Sequence, residues 1–235
     1  VKDVDGRDEP GHDQTEGDQM QFFSFWRSLA SFRVRITLNL KGLSPEVINV
    51  DLMKGEQLGD AYRKVNPQML LPALVTDEGA VLFQSMAIME YLDDVHPHPN
   101  LLPSEALARA RVRALSGIVA SDAHPLIVPR VRDYLERDVK LDQPALLKWI
   151  HHWLGEGMKA LEANLAGSTE TSTYCQGNSV TMADICLVSH AAGCNFFKYD
   201  LSPFPTVRRI VETCMKEEAF AKAHPLKQPG APAAV

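Results

Sequence analysis

The run HPHPNLLPS, from His96 to Ser104, places three prolines in nine residues. Proline removes a backbone donor and clashes with the preceding helical turn, so neither a helix interior nor a central strand can pass through such a run. Apolar residues repeat with different periods on its two sides. That change of period is the strongest constraint on what the chain can fold into.

Before the run, the pattern mixes strand and helix. Met20 to Phe25 reads as a buried strand. From Ser31 to Lys41 two periods compete: Val34, Ile36, Leu38 and Leu40 alternate, whereas Phe32, Ile36 and Leu40 share one helical face. The pair Lys41-Gly42 is a helix-stop signal and decides for a helix. Val47 to Leu52 alternates again, with Ile48, Val50 and Leu52 on one side, and is predicted as a second strand. A short helical piece precedes Asn66–Val75, and Thr76-Asp77-Glu78-Gly79 then turns the chain back through Ala80–Phe83 as a hairpin. Ser85 is placed to cap a helix through Ile88, Leu92 and Val95 that stops at His96-Pro97.

After the run, spacings of three and four dominate. One stripe holds Leu107, Ala110, Ala114, Leu115, Ile118 and Val119, and another Leu147, Ile150, Leu154, Met158, Leu161 and Leu165. Asp142 is placed to cap the second helix, with Pro144 in its first turn. Thr181 and Asp184 form a capping box. The apolar run Ile185-Cys186-Leu187-Val188 beyond it predicts a central, fully buried helix. The expected organisation is an acidic, disordered leader at 1–19, a mixed α/β unit at 20–97, a linker at 98–104 and an all-helical part at 105–235.

Charge and composition exclude several functions. The formal charge of −6 is mostly in residues 1–19, where seven acids face Lys2 and Arg7, leaving the body near −1. No field for nucleic acid exists. No apolar run reaches the length needed to cross a bilayer, and the acidic start is no secretory signal. Cys175, Cys186, Cys194 and Cys214 make no paired motif and suggest a reducing cytoplasm. His151 and His152 diverge by about 100° on a helix, which does not suit one metal, so no metal site is expected.

Chemistry concentrates at FWRSLASFRVRI, Phe25 to Ile36. Ser28 is either a helix cap or a hydroxyl at the carboxyl end of a first strand, where a helix begins. At such a point a hydroxyl donor and the free amides of the first turn both favour a bound thiolate and lower its pKa. Each pKa unit of that depression corresponds to about 1.4 kcal/mol. No His or Asp nearby in the motif would make Ser28 itself a nucleophile. Ser31 is a second hydroxyl, or the cap.

Five motifs in order, FWRSLASFRVRITLNLKG, NPQMLLPALV, LFQSMAIMEYLDD, HPLIVPRVRDYL and VTMADICLV, resemble the zeta-type glutathione S-transferase family, which includes maleylacetoacetate and maleylpyruvate isomerases. The resemblance covers roughly Met20 to the end. It implies a thioredoxin-like domain followed by an all-α bundle, a cytoplasmic homodimer and glutathione as cofactor. It implies that Ser28 acts on the cofactor's thiol, that Pro72 is cis and leaves the Leu71 backbone for the cysteinyl part, that Gln84 and Ser85 seat the γ-glutamyl carboxylate, and that Gln57 meets the glycyl end. Arg27 and Arg130 then hold substrate carboxylates. Two departures stand out. Leu29 and Ala30 are apolar where relatives are often polar, and Cys194-Asn195-Phe196-Phe197 lacks a basic pair often found there.

The function this implies is glutathione-dependent cis–trans isomerisation of a maleyl-type dicarboxylic acid in aromatic catabolism. The alternatives are a transferase conjugating α-halo acids or other electrophiles, and a non-catalytic binding protein of the same fold.

Overall fold

The computed structural model describes residues 20–232; the expected acidic leader lies outside the described residues. The chain opens with β1 (Gln21–Ser24), α1 (Leu29–Leu40) and β2 (Glu46–Asn49). A one-turn 3-10 piece at Glu56–Leu58, α2 (Asp60–Val65), the hairpin strands β3 (Ala73–Val75) and β4 (Val81–Phe83), and α3 (Ser85–Val95) come next. The sheet order is β2-β1-β3-β4, with β1 and β2 parallel and the other pairs antiparallel. Alternation along the strands sorts the two faces. Phe22 and Leu74 point into the main core with α1 and α3, while Phe23 and Ala73 pack with Val50 and Tyr62 of α2. This is the thioredoxin-like arrangement expected from the sequence.

Helices make up most of the remaining chain: α4 (Ala106–Gly117), α5 (Pro129–Arg137), α6 (Gln143–Ala166), α7 (Met182–Phe196), α8 (Pro205–Cys214) and α9 (Glu218–Ala223). Helix α7 is buried at every position from Met182 to Cys194, as its all-round apolar sequence requires. The Asp184 carboxylate at its head accepts from the Thr181 amide at 2.8 Å and the Cys175 amide at 2.7 Å, so the capping box also anchors the preceding loop. Helix α4 passes into a π-helical stretch at Ile118–Ala123 and then a 3-10 turn at His124–Leu126 before α5 begins. Helix α6 approaches this stretch closely at Gly157, where an added Cβ would lie 2.6 Å from His190 Nε2 and 2.9 Å from the Ala123 Cβ.

Several expectations need correction. Helix α1 starts at Leu29 because Ser28, not Ser31, caps it. It ends as predicted: Gly42 at φ +69° lets the Leu43 amide reach Leu38 O at 2.9 Å. Strand β2 stops at Asn49, short of Leu52, because Asp51 folds back to accept from the amides of Met53 and Lys54 and draws the chain out of the sheet. Ser85 is the first helical residue of α3, not its cap; Gln84 holds the cap position at φ +69°. On α4 the buried edge is Val112, Leu115 and Ser116, continued by Val119, while Leu107, Ala110 and Ala114 are exposed. Arg111 fixes that rotation by donating to Cys175 O, Gln176 and Thr171, and Ser116 satisfies its hydroxyl on Val112 O. On α6, Leu146 takes the core position expected of Leu147.

His190 is fully buried at the centre of α7, with Nε2 donating to Leu154 O at 3.2 Å. Burial, against the help of that hydrogen bond, pulls its pKa down to about 4, and burial holds His124 well below the imidazole range. A histidine whose folded pKa is depressed contributes stability that is present above its unfolded pKa, near 6.5, and is lost as the pH falls towards the folded value. Denaturant unfolding measured from pH 7 downward is expected to lose on the order of 3 kcal/mol from His190 alone between about pH 6.5 and 4. The variant His190→Gln, which keeps a donor for Leu154 O, is expected to flatten that part of the curve; an unchanged pH dependence contradicts the assignment.

Candidate active site

The β1–α1 turn is shaped from inside the fold. Arg35, 7% exposed in the second turn of α1, donates from Nη1 to Ser24 Oγ at 3.0 Å and Phe25 O at 3.2 Å, and from Nη2 to Trp26 O at 3.1 Å. Its Nε donates to Ala223 O at 3.1 Å, which ties the turn to the end of α9. Burial lowers its pKa to about 9, so it remains cationic at neutral pH. With the carbonyls of Phe25 and Trp26 engaged inward, Arg27 and Ser28 come to the surface of the turn, half-buried.

Ser28 is the cap of α1, and capping does not use up its hydroxyl proton. Its Oγ accepts from the Ser31 amide at 3.1 Å, which uses a lone pair and leaves the hydroxyl proton to donate. The amides of Leu29 and Ala30, in the first turn of α1, have no intrahelical acceptor. They add the positive potential of a helix N-terminus beside that hydroxyl. Ser31 Oγ is buried without a partner and does not face this arrangement.

Ser28 opens onto a cleft of about 980 Å³. Arg27, Ser28, Gln57, Leu71 and Arg130 all line it, so five of the eight sequence-predicted residues come together. Gln57 Oε1 is buried there without a partner, an acceptor suited to an amide N–H of a peptide-like ligand. The Leu71–Pro72 bond is cis, and Leu71 lies just outside the β3 ladder. Its position is set by the carbonyl before it, because Leu70 O accepts from Tyr62 Oη at 2.7 Å and from Asn66 Nδ2 at 2.8 Å. Pro72 is buried behind the wall. Gln84 joins the rim through Gln68, donating from Nε2 to Gln68 Oε1 at 2.9 Å, and Ser85 is buried in the first turn of α3. The positive φ of Gln84 is a backbone state that non-glycine residues seldom adopt.

Sequence reasoning missed three features of the opposite wall. His124 lines the cleft, and its Nδ1 accepts from Arg33 Nη2 at 3.0 Å. With Nδ1 accepting, the neutral ring carries its proton on Nε2 and is a hydrogen-bond donor. Phe196 and Phe197, at the end of α7, form an aromatic floor. The Arg27 guanidinium lies 5.4 Å from the Phe196 ring centroid and that of Arg132 lies 5.5 Å from Phe197. Arg132 is half-buried, while Arg130 is exposed at the rim. The signal for Arg132 was present: it precedes the buried Leu135 by three residues, on the inward side of α5.

Leu52, Met53 and Leu58 on the sheet side and Ile127, Val128 and Leu146 opposite add apolar surface, while Lys54 and, across the cleft, Asp133, Glu136, Arg137 and Asp138 make its outer part charged. The arrangement can hold a thiol-bearing peptide along Leu71 with its sulfur at Ser28, and an anionic electrophile between that sulfur and the arginines.

Known proteins resemble this chain over most of its length. Residues 27–95 match the glutathione S-transferase N-terminal domain. A maleylpyruvate isomerase of Ralstonia sp. is 43% identical over 89% of this chain and 99% of its own. The holo structure of a maleylpyruvate isomerase, a bacterial glutathione S-transferase of the zeta class, superposes with a TM-score of 0.88 at 40% identity over 90% of this chain and all of that one. A maleylacetoacetate isomerase of Methylobacterium extorquens AM1, solved with bound malonate and glutathione, gives 0.89 at 44% identity over 91% of this chain and 100% of that chain. The chain therefore belongs to the zeta class of the glutathione S-transferase family.

Proposed function

We propose that this protein is a glutathione-dependent cis–trans isomerase of a maleyl-type dicarboxylic acid, maleylpyruvate or maleylacetoacetate. The observation that carries the reading is the placement of the Ser28 hydroxyl, the free end of α1 and the guanidinium of Arg27 on one cleft. Relatives named maleylpyruvate and maleylacetoacetate isomerases, one of them holding glutathione and a dicarboxylate together, support it.

The described residues suit the cofactor. The backbone of Leu71 offers a strand-like edge to the cysteinyl unit, the buried Gln57 Oε1 offers an acceptor to the glycyl end, and Gln84, Ser85 and the first amides of α3 offer an anion seat to the γ-glutamyl carboxylate. Bound glutathione supplies a thiolate that adds to the cis double bond and leaves again after rotation, so none is consumed. Ser28 would donate a hydrogen bond to the sulfur, keeping its own proton, and with the Leu29 and Ala30 amides would favour the ionised form. Arg27 and Arg130 hold carboxylates and offset the charge that builds on the conjugated carbonyl oxygen. The His124 Nε2–H is a further donor on the same wall. Apolar Leu29, packed within 2.8 Å of where a Cβ on Gly193 would stand, keeps that end of the cleft dry and strengthens each of these charges.

The four cysteines are buried free thiols, which supports a reducing cytoplasm as the place of action. Among the described residues no helix is long and apolar enough to cross a membrane. A homodimer is supported by apolar side chains left outside: Val81 and Phe83 on edge strand β4 are 41% and 50% exposed, and Leu107 on α4 is 79% exposed. Sedimentation of the native chain is expected to give twice the chain mass and Phe83→Lys to give the single mass; a native monomer removes the dimer.

Turnover of maleylpyruvate and of maleylacetoacetate with catalytic glutathione tests the reaction. Isomerisation without glutathione loss is the expected result, and stoichiometric loss with a halo acid, with neither maleyl acid turned over, replaces isomerisation by conjugation. In the isomerase, Ser28→Ala is expected to lower kcat by about a hundredfold, the scale of removing one donor from a developing or held anion, with a much smaller change in KM for glutathione. Unchanged kcat in that variant rules out the role of Ser28.

A further inference from the structure

Resting on the reading of the cleft as the seat of an anionic electrophile, we propose that Arg132 is a substrate-binding residue, and that it and Arg27 grip one carboxylate between them above the Phe196–Phe197 floor. Two cations approach here from opposite elements, the β1–α1 turn and α5. Each is stacked on one of two consecutive rings, 5.4 Å and 5.5 Å from the centroids. Among the described residues neither guanidinium has an ion-pair partner, whereas Arg113 and Arg208 reach Glu90 and Glu212.

Arg132 is held ready for such a ligand. Its Nε is buried without a hydrogen-bond partner, an unmet donor on a residue that lines the cleft. Burial first, and then the charge of Arg27, lower its pKa, although Asp133 and Glu136 of its own helix act the other way. Like charges that repel across a cleft are relieved by an anion placed between them. A planar carboxylate satisfies both forks at once, where a single lysine could not.

The floor is itself fixed. His151 on α6 donates from Nε2 to Phe197 O at 2.7 Å, and Trp26 meets the Phe196 ring edge-on with centroids 6.1 Å apart. The two rings therefore hold the two guanidiniums in place before an anion arrives. Arg132 thus supplies a strong positive charge where the sequence Cys194-Asn195-Phe196-Phe197 offers none.

Titration of the glutathione-loaded protein with malonate, followed by calorimetry, tests this apart from turnover. Wild-type protein is expected to bind malonate, with Arg132→Met weakening it about tenfold or more and Arg132→Lys recovering only part of the loss. Glutathione affinity is expected to be unchanged in both, which also reports that they are folded. Arg208→Met, on α8 and outside the cleft, is expected to match wild type. A double variant with Arg27→Met should lose less than the product of the two single losses, as partners on one anion do. Malonate affinity unchanged in Arg132→Met, or no malonate binding by wild type, overturns the proposal. Arg132-dependent binding in a protein that turns over no maleyl acid upholds the anion grip and overturns the isomerase reading instead.

Discussion

The four hydrogen bonds of the buried Arg35 guanidinium shape the β1–α1 turn from which the active site is built. A turn between a strand and a helix has carbonyls to satisfy, and in most turns water does it. Here one cation inside the fold collects the carbonyls of Phe25 and Trp26 and the hydroxyl of Ser24. The turn can then face outward only with Arg27 and Ser28. Because the same guanidinium holds Ala223 O, the end of α9 is part of the turn's support. A charge costs several kcal/mol to bury and is retained where its bonds fix a geometry that apolar packing would not.

Dryness and charge reinforce each other in the cleft. Leu29 and Ala30 present no polar side chain beside Ser28, so a sulfur bound there would meet the Ser28 hydroxyl and the amides of α1 in a medium of lower dielectric. On the far side, stacking on Phe196 and Phe197 orders two arginine side chains before any ligand arrives. Ordering beforehand reduces the entropy lost on binding. The irregular stretch from Ile118 to Leu126 is the device that brings the far wall round. It replaces a continuous helix by a π turn and a 3-10 turn, and Trp149 secures it by donating to Leu126 O at 2.8 Å.

Much of this was legible in the residues because local chemistry and tertiary need coincide. The hairpin at Gly79, the stop at Gly42, the cap at Asp142 and the box at Thr181–Asp184 are decided within a few residues and were found. The position of α1's start was missed because Ser28 and Ser31 are both credible caps, and only the burial of Leu29 and Ser31 separates them. The exposed stripe of α4 was misread because apolarity was counted without Ser116, which is buried once its hydroxyl bonds to Val112 O. Arg130 and Arg132 lie in one motif, and although the three-residue step from Arg132 to the buried Leu135 marks the inward side of α5, it does not say that this side borders the cleft, which depends on how α5 meets α6. The pairing of Arg27 with Phe196 joins residues far apart in the chain and is visible only in the fold.

In the proposed reaction, Ser28 and the end of α1 keep the glutathione sulfur ionised at neutral pH. The direct measurement is the ultraviolet absorbance of the thiolate, titrated against pH with glutathione bound to the wild-type protein and to Ser28→Ala. The account predicts an apparent pKa at least about one unit below that of a free thiol, near 8.5, in the wild type, and a rise towards the free value in the variant. A wild-type value equal to that of free glutathione, or one that the variant leaves in place, would contradict it.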